Sequence, residues 1–251
     1  MTRARAASNT ERGVTLLELL VAVTLLSLLS VGIVLSLRVA LGAMNKADAK
    51  LMANRRVVGV ERILEQEVAG IMPVTAECGT APGGPLVTFF QGAPQSMRLV
   101  STYSLPQASR GLPMILEYQV IAGENGQGVR LVVNEHLYSG QRSTGVFCTG
   151  VGIDPLSGSP GAQFVPVQVG PDSFVLADKL AYCRLSYRDV PDPTNPEEKP
   201  KWLLSWSKPV LPSAIRFEMA PLIPDPSKVQ PIALTIPVHV TRRPLEPYGN
   251  Q

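Results

Sequence analysis

The chain has 251 residues with 23 basic and 20 acidic side chains, a formal net charge of +3, and that small, dispersed excess gives no argument for a nucleic-acid-binding surface. The length suits one globular domain carried on one long helix. The apolar share of 45% is ordinary as an average, but much of it lies in a single block near the N-terminus, and the remainder reads as a moderately polar soluble domain.

Residues 1–13, MTRARAASNTERG, set Arg3, Arg5 and Arg12 against Glu11 ahead of that block. Such a basic flank stays in the cytoplasm and sends the C-terminus out. Residues 14–37 then read VTLLELLVAVTLLSLLSVGIVLSL, with Glu18 as the only ionisable side chain. As a helix this run is about 36 Å long, enough to cross a hydrocarbon core of about 30 Å with some tilt. A conventional secretory signal has a shorter apolar stretch followed by a small-residue cleavage site, and neither is present. A lone carboxylate among leucines costs a few kcal/mol or more in lipid. No Lys, Arg or His follows Glu18 within the apolar run, so its partner must come from another chain or the carboxyl must be protonated.

The segment Arg12-Gly13-Val14-Thr15-Leu16-Leu17-Glu18-Leu19-Leu20 resembles the type III signal-sequence motif of type IV prepilins and type II secretion pseudopilins. The resemblance implies that a prepilin peptidase cuts after Gly13 and methylates the new N-terminus at Val14. It also implies that Glu18 pairs with the N-terminal amine of a neighbouring subunit. Val14 departs from the phenylalanine usual in the family, at a position that tolerates other apolar residues. A physical argument agrees: an amine freed by cleavage and a buried carboxylate neutralise each other between chains, and each is costly alone.

Residues 38–72 continue as an amphipathic helix half, with Ala40, Met44, Ala47, Leu51, Val57, Val60, Leu64, Val68 and Ile71 recurring at threes and fours apart from one slip. Lys46, Asp48, Lys50, Arg55, Arg56, Glu61, Arg62, Glu65 and Glu67 fill the other positions, and Gly70 with Pro73 predicts a stop near Ile71. Gly32 and Gly42 each lower helix stability by about 1 kcal/mol, and read equally as bending points or as incidental.

From 73 to 251 the period shortens to near two, and Gly and Pro punctuate short runs rich in Val, Leu, Phe and Tyr. The predicted strands are Leu86–Gln91, Met97–Tyr103, Met114–Ile121, Val129–Ser139, Ser173–Ala177, Lys179–Arg188, Lys201–Trp206, Ser213–Met219 and Ile232–Thr241. Cys78–Pro85, Gly123–Gly128, Thr149–Gly161 and Val190–Pro200 read as loops, and Arg243–Gln251 as a loose tail. The expected class is α+β: a long N-terminal helix packed on a mostly antiparallel sheet that covers its apolar stripe, a pilin-like fold.

Three stretches carry a narrower resemblance: 180–189 (LAYCRLSYRD), Trp202 with Trp206, and 211–217 (LPSAIRF). They resemble the J-type minor pseudopilin of type II secretion systems. That family implies a structural subunit that starts or caps a periplasmic pseudopilus, with I-type and K-type minor pseudopilins and the major pseudopilin as partners. It also implies an inner-membrane anchor with the domain in the periplasm. A W-type minor pilin of a type IV pilus, or an anchored binding domain acting alone, remains an alternative. Residues 77–168 carry no family motif.

Nothing in the soluble part points to catalysis. The two histidines, His136 and His239, lie far apart on predicted strands, with no metal-ligand spacing, and no nucleophile elbow, phosphate loop or dinucleotide turn occurs. No cofactor is expected. Asp189, Asp192, Asn195, Glu197 and Glu198 cluster in a Pro-rich loop whose oxygens suit calcium, though a solvated acidic loop is the favoured reading. The three cysteines fall on the outer, oxidising side of the anchor. Cys183, mid-strand beside Ala181, Leu185 and Tyr187, reads as a buried thiol. Cys78 and Cys148 sit beside glycines whose backbone freedom helps meet the separation a bridge requires, and are the preferred pair; connectivity stays open to the other pairings and to none.

Overall fold

A computed structural model describes residues 14–79, 83–105, 109–153, 158, 160–190, 199–222 and 232–240, with the side chains of 45–57 left aside. The predicted leader 1–13, most of the predicted acidic loop and the predicted tail therefore lie outside the described residues.

No proline interrupts the chain before Pro73, and a single helix, α1 (Leu16–Ala69), forms. Thr15 caps it: the Glu18 N–H donates to Thr15 Oγ1 at 3.3 Å, satisfying one of the donors that a helix start leaves open. The helix stops at Ala69, two residues before the predicted stop near Ile71. A Cβ on Gly70 would lie 2.7 Å from Ser101 Oγ, so only glycine lets the helix end pass this close to the sheet. Ile71–Met72 then leaves the helix as β1 and pairs with Ser101 and Val100.

The strands that follow are β2 (Thr75–Glu77), β3 (Leu86–Thr88), β4 (Gln91–Gly92), β5 (Ser96–Ser104), β6 (Ser109–Ala122) and β7 (Val129–Leu137). After a short helix α2 (Gln141–Gly145) come β8 (Cys148–Ile153), β9 (Pro160–Phe164), β10 (Phe174–Arg188), β11 (Trp202–Leu203), β12 (Ala214–Pro221) and β13 (Ile232–Pro237). The main sheet runs β1-β5-β6-β7-β10-β12-β13, with β4 on β5 and β11 on β10; all its pairings are antiparallel. Two hairpins, β2-β3 and β8-β9, stand outside it. The chain is thus an α+β protein, a long apolar helix followed by a mostly antiparallel sheet, consistent with a pilin-like fold.

Several predicted elements change. The predicted loop 149–161 contains most of β8 and the start of β9; its glycines and Pro160 hid a strand pair. The two runs divided at Asp178 are one strand, β10, bent where Lys179 takes φ 55° and its N–H is accepted by Asp178 Oδ1 at 2.7 Å. The bend lets the first half of β10 pair with β7 and the second half with β12. The predicted Lys201–Trp206 strand shrinks to Trp202–Leu203, and β13 ends at Pro237, leaving His239 outside any strand.

The chain divides into two compact units, Met1–Ala53 and Asn54–Gln251. Within the second, Leu64, Val68 and Ile71 pack on the inner sheet face with Met97, Leu99, Leu116, Tyr118, Leu131, Val133, Leu185, Tyr187 and Phe217. Each fully buried Leu or Phe contributes about 2 kcal/mol relative to exposure. A second, smaller core forms on the opposite face from Val74, Ala76, Cys78, Phe89, Val100, Ile115 and Cys148, with Phe147 and Phe164 against it. Gly92 marks the tightest crossing in the larger core: a Cβ there would lie 2.7 Å from Tyr187 Cζ and 2.8 Å from Trp206 Cβ. Gly92→Ala is expected to destabilise the domain by about 1–3 kcal/mol, read as a lower urea midpoint; an unchanged midpoint would mean that this crossing relaxes freely.

Candidate assembly site

The first unit presents a helix whose described side chains are all exposed. Leu16–Met44 is long and apolar enough to cross a membrane, and every described side chain along it is exposed, including Leu16 at 82%. Three of its hydroxyls are satisfied from within. Thr24 Oγ1 donates to Val21 O, Ser27 Oγ to Thr24 O and Ser30 Oγ to Leu26 O, each at 2.8 Å. These residues therefore enter an apolar medium at little cost. Glu18 differs. Its backbone N–H completes the Thr15 cap, while its carboxylate has no partner among the described residues. A carboxylate in the first turn is favoured by the helix dipole, but that fraction of a kcal/mol does not offset desolvation of the charge.

Val14, exposed at 71%, precedes the cap residue, so a cationic amine at Val14 would lie within about a turn of a neighbouring helix's Glu18 when two such helices pack side by side with a small axial offset. Gly13 lies outside the described residues.

Residues 8–34 match the family model for the prokaryotic N-terminal methylation motif. The match takes in Gly13, Val14 and Glu18 together and supports a type IV prepilin-like or pseudopilin-like protein. It implies processing by prepilin peptidase and assembly with other pilin-like chains, and the apolar helix ahead of a β-domain fits a membrane anchor. No curated protein matches the chain.

In the β-domain, Cys78 and Cys148 form a disulfide with α-carbons 5.0 Å apart. The bridge joins the end of β2 to the start of β8, both in the two outlying hairpins. Cys183 is a buried free thiol on β10, its pKa pushed up to about 12 by burial. Of the acidic loop, Asp189 is described, and both its oxygens meet Lys208 Nζ at 2.6 and 2.7 Å; Asp192, Asn195, Glu197 and Glu198 lie outside the described residues. Among the described residues no group of three or more His, Cys, Asp and Glu side chains converges.

Sequence reasoning missed two buried polar clusters. Glu67, assigned to the polar face of the helix, is fully buried, with Tyr118 Oη donating to Oε2 at 2.5 Å. On the other sheet face Arg98 is fully buried: Nε donates to Glu117 Oε1 at 2.5 Å and Nη1 to Gln91 Oε1 at 2.7 Å. Its guanidinium lies 5.4 Å from the Phe147 ring centre and 5.8 Å from that of Phe164. Burial lowers the Arg98 pKa, and Glu117 opposes that shift. His136 Nε2 lies 2.9 Å from the other Glu117 oxygen, so this histidine is a rim member of an ion-pair cluster. The cluster has no nucleophile and binds the β8-β9 hairpin to the sheet through the two phenylalanines.

Proposed function

We propose that this chain is a minor pseudopilin of a type II secretion system, a structural subunit that helps to initiate or cap the periplasmic pseudopilus. The observation that carries the reading is the Gly13-Val14 junction with Glu18 in the first turn of an exposed apolar helix. A simple anchor has no use for either a cleavage site before its apolar run or an unpartnered carboxylate inside it. The finer assignment rests on the J-type resemblance of β10, β11 and β12. Under this reading the protein is anchored in the bacterial inner membrane with its β-domain in the periplasm and has no enzymatic role. Its partners are the I-type and K-type minor pseudopilins and the major pseudopilin.

Glu18 attracts the Val14 amine of an adjoining subunit and fixes the axial register of assembly. Glu18→Gln is therefore expected to leave leader cleavage intact while reducing copurification with partner pseudopilins by about tenfold or more, the scale set by one unpaired charge in lipid. Mass spectrometry of the N-terminus after co-expression with an active prepilin peptidase reads the first outcome, and affinity capture of tagged partners the second. Retention of residues 1–13 would defeat the filament reading, and wild-type capture by Glu18→Gln would remove the role given to this carboxylate.

A further inference from the structure

The outer face of the main sheet is half covered. Over β5-β6-β7 lies the disulfide-bearing hairpin module with its apolar core. Among the described residues, the outward row over β10, β12 and β13 is open apart from the buried Ser186. On β10 the buried Cys183, Leu185 and Tyr187 point inward, so Tyr182, Arg184, Ser186 and Arg188 point outward. On β12, Ile215, Phe217 and Met219 point inward, leaving Arg216 and Glu218 outward. Ladder pairing sets Arg184 beside Glu218 and Ser186 beside Arg216. Arg188 pairs with Trp202 on the other side.

Arg184 and Arg188 are exposed, and neither side chain has an ion pair or hydrogen bond among the described residues. Arg216 is held in place instead: its guanidinium lies 3.8 Å from the centre of the Trp202 ring, and Nε donates to Thr235 Oγ1 at 3.2 Å. Glu218 reaches Arg216 only at 3.9 Å. Three guanidinium groups thus surround Ser186, a small residue buried to 6% exposure, and Tyr182 and Trp202 border them. Arginine and large aromatics on an open sheet face are the composition of interface centres, where the guanidinium fork takes carboxylates in bidentate fashion.

We propose that this face docks an acidic, extended segment of another protein along β10. Charge complementarity selects the partner. Arg184 and Arg188, four residues apart on one strand face, stand about 13 Å from each other, with Arg216 between them on the next strand. Carboxylates at alternate positions of an extended chain repeat at about 7 Å and match that row. A nucleic-acid backbone fits worse: three positive charges with the Glu218 carboxylate beside two of them, in a chain of net charge +3, release too few counterions to hold a polyanion. The proposal does not depend on the assembly role given to Glu18.

The test uses the full chain in zwitterionic detergent. The probes are a synthetic peptide with glutamate at alternate positions, its glutamine counterpart, and a single-stranded oligonucleotide. Readouts are the arginine Nε–H NMR signals and tryptophan fluorescence. Saturable binding of the glutamate peptide is expected at low salt, with shifts confined to Arg184, Arg188 and Arg216 and weakening on added salt. Arg184→Gln with Arg188→Gln is expected to weaken it about tenfold while leaving the fold unchanged, since both side chains are exposed. Arg216→Lys should remove the Trp202 response. Equal binding of the glutamine peptide, no saturable binding of the glutamate peptide, indifference to the double substitution, or tighter binding of the oligonucleotide would each overturn the proposal.

Discussion

The β-domain is expected to lose stability as pH rises from about 4.5 towards about 8, and Glu67→Gln to flatten most of that slope. Glu67 is fully buried between α1 and the sheet. One carboxyl oxygen takes the Tyr118 hydroxyl, and the other, Oε1, has no hydrogen-bond partner among the described residues. Burial is the largest cause raising its pKa from 4.5 to about 8; the Tyr118 hydrogen bond opposes the rise and the Glu135 carboxylate adds to it. From β7, Glu135 is itself raised by burial while it accepts from Leu105 N at 2.7 Å and Ser104 Oγ at 3.1 Å. From β6, Tyr118 is raised well above its ordinary value, again chiefly by burial, and stays neutral. β5 presents the neutral Ser101, whose hydroxyl donates to Glu67 O at 2.7 Å.

The sign follows from the raised value. Below the unfolded-state pKa the group is protonated in both states and its contribution is complete. Above it only the unfolded chain ionises, and about 1.4 kcal/mol is lost per pH unit until the folded group ionises as well. Near neutral pH the loss reaches about 2–4 kcal/mol. Glutamine mimics the protonated acid, so Glu67→Gln should exceed the wild type in urea midpoint at pH 7 and match it near pH 4. A wild-type midpoint that does not change over this window would show that Glu67 is hydrated in the folded chain.

Glu67 also shows where the sequence was legible and where it was not. The helix, its stop region, the antiparallel strands β5, β6, β7 and β12, and the Gly13-Val14-Glu18 motif all carry local signals: period, punctuation, or a lone charge in an apolar run. Glu67 follows Leu64 by three and precedes Ile71 by four, so helical spacing already placed it on the buried stripe. Its charge type argued otherwise, because the partner that makes burial tolerable, Tyr118, is distant in sequence. Arg98 was hidden for the same reason: it sits in a clean strand, and its carboxylate lies opposite it on the next one. The hairpin β8-β9 gave the opposite error, since Gly150, Gly152 and Gly161 read as loop. A Cβ on Gly161 would lie 2.8 Å from Ser207 Cβ, so that glycine marks a close approach inside a strand pair.

Loss of the Cys78–Cys148 bridge is expected to cost about 4 kcal/mol on the chain-entropy argument, because it closes a loop across a sequence separation of 70. The damage should be local. Both sulfurs belong to the smaller core, where Thr144 Oγ1 also donates to Thr75 O at 3.0 Å, Gln141 Nε2 to Thr75 Oγ1 at 2.8 Å, and Gly79 N to Cys148 O at 3.3 Å. None of these reaches the larger core under α1. In the Cys78→Ala/Cys148→Ala variant, amides of β8 and β9 should therefore lose protection from hydrogen exchange by a hundredfold or more, corresponding to several of the roughly 1.4 kcal/mol steps that each make a tenfold change. Those of Leu131, Leu185 and Phe217 should keep protection close to wild type. The Arg98 cluster sets the limit of the effect, since its guanidinium between Phe147 and Phe164 still holds the hairpin when the covalent tie is gone. Adding Arg98→Met to the variant should release what remains. Uniform loss of protection across both cores in the cysteine variant alone would mean that the two faces of the sheet unfold as one unit and that the bridge stabilises the whole domain.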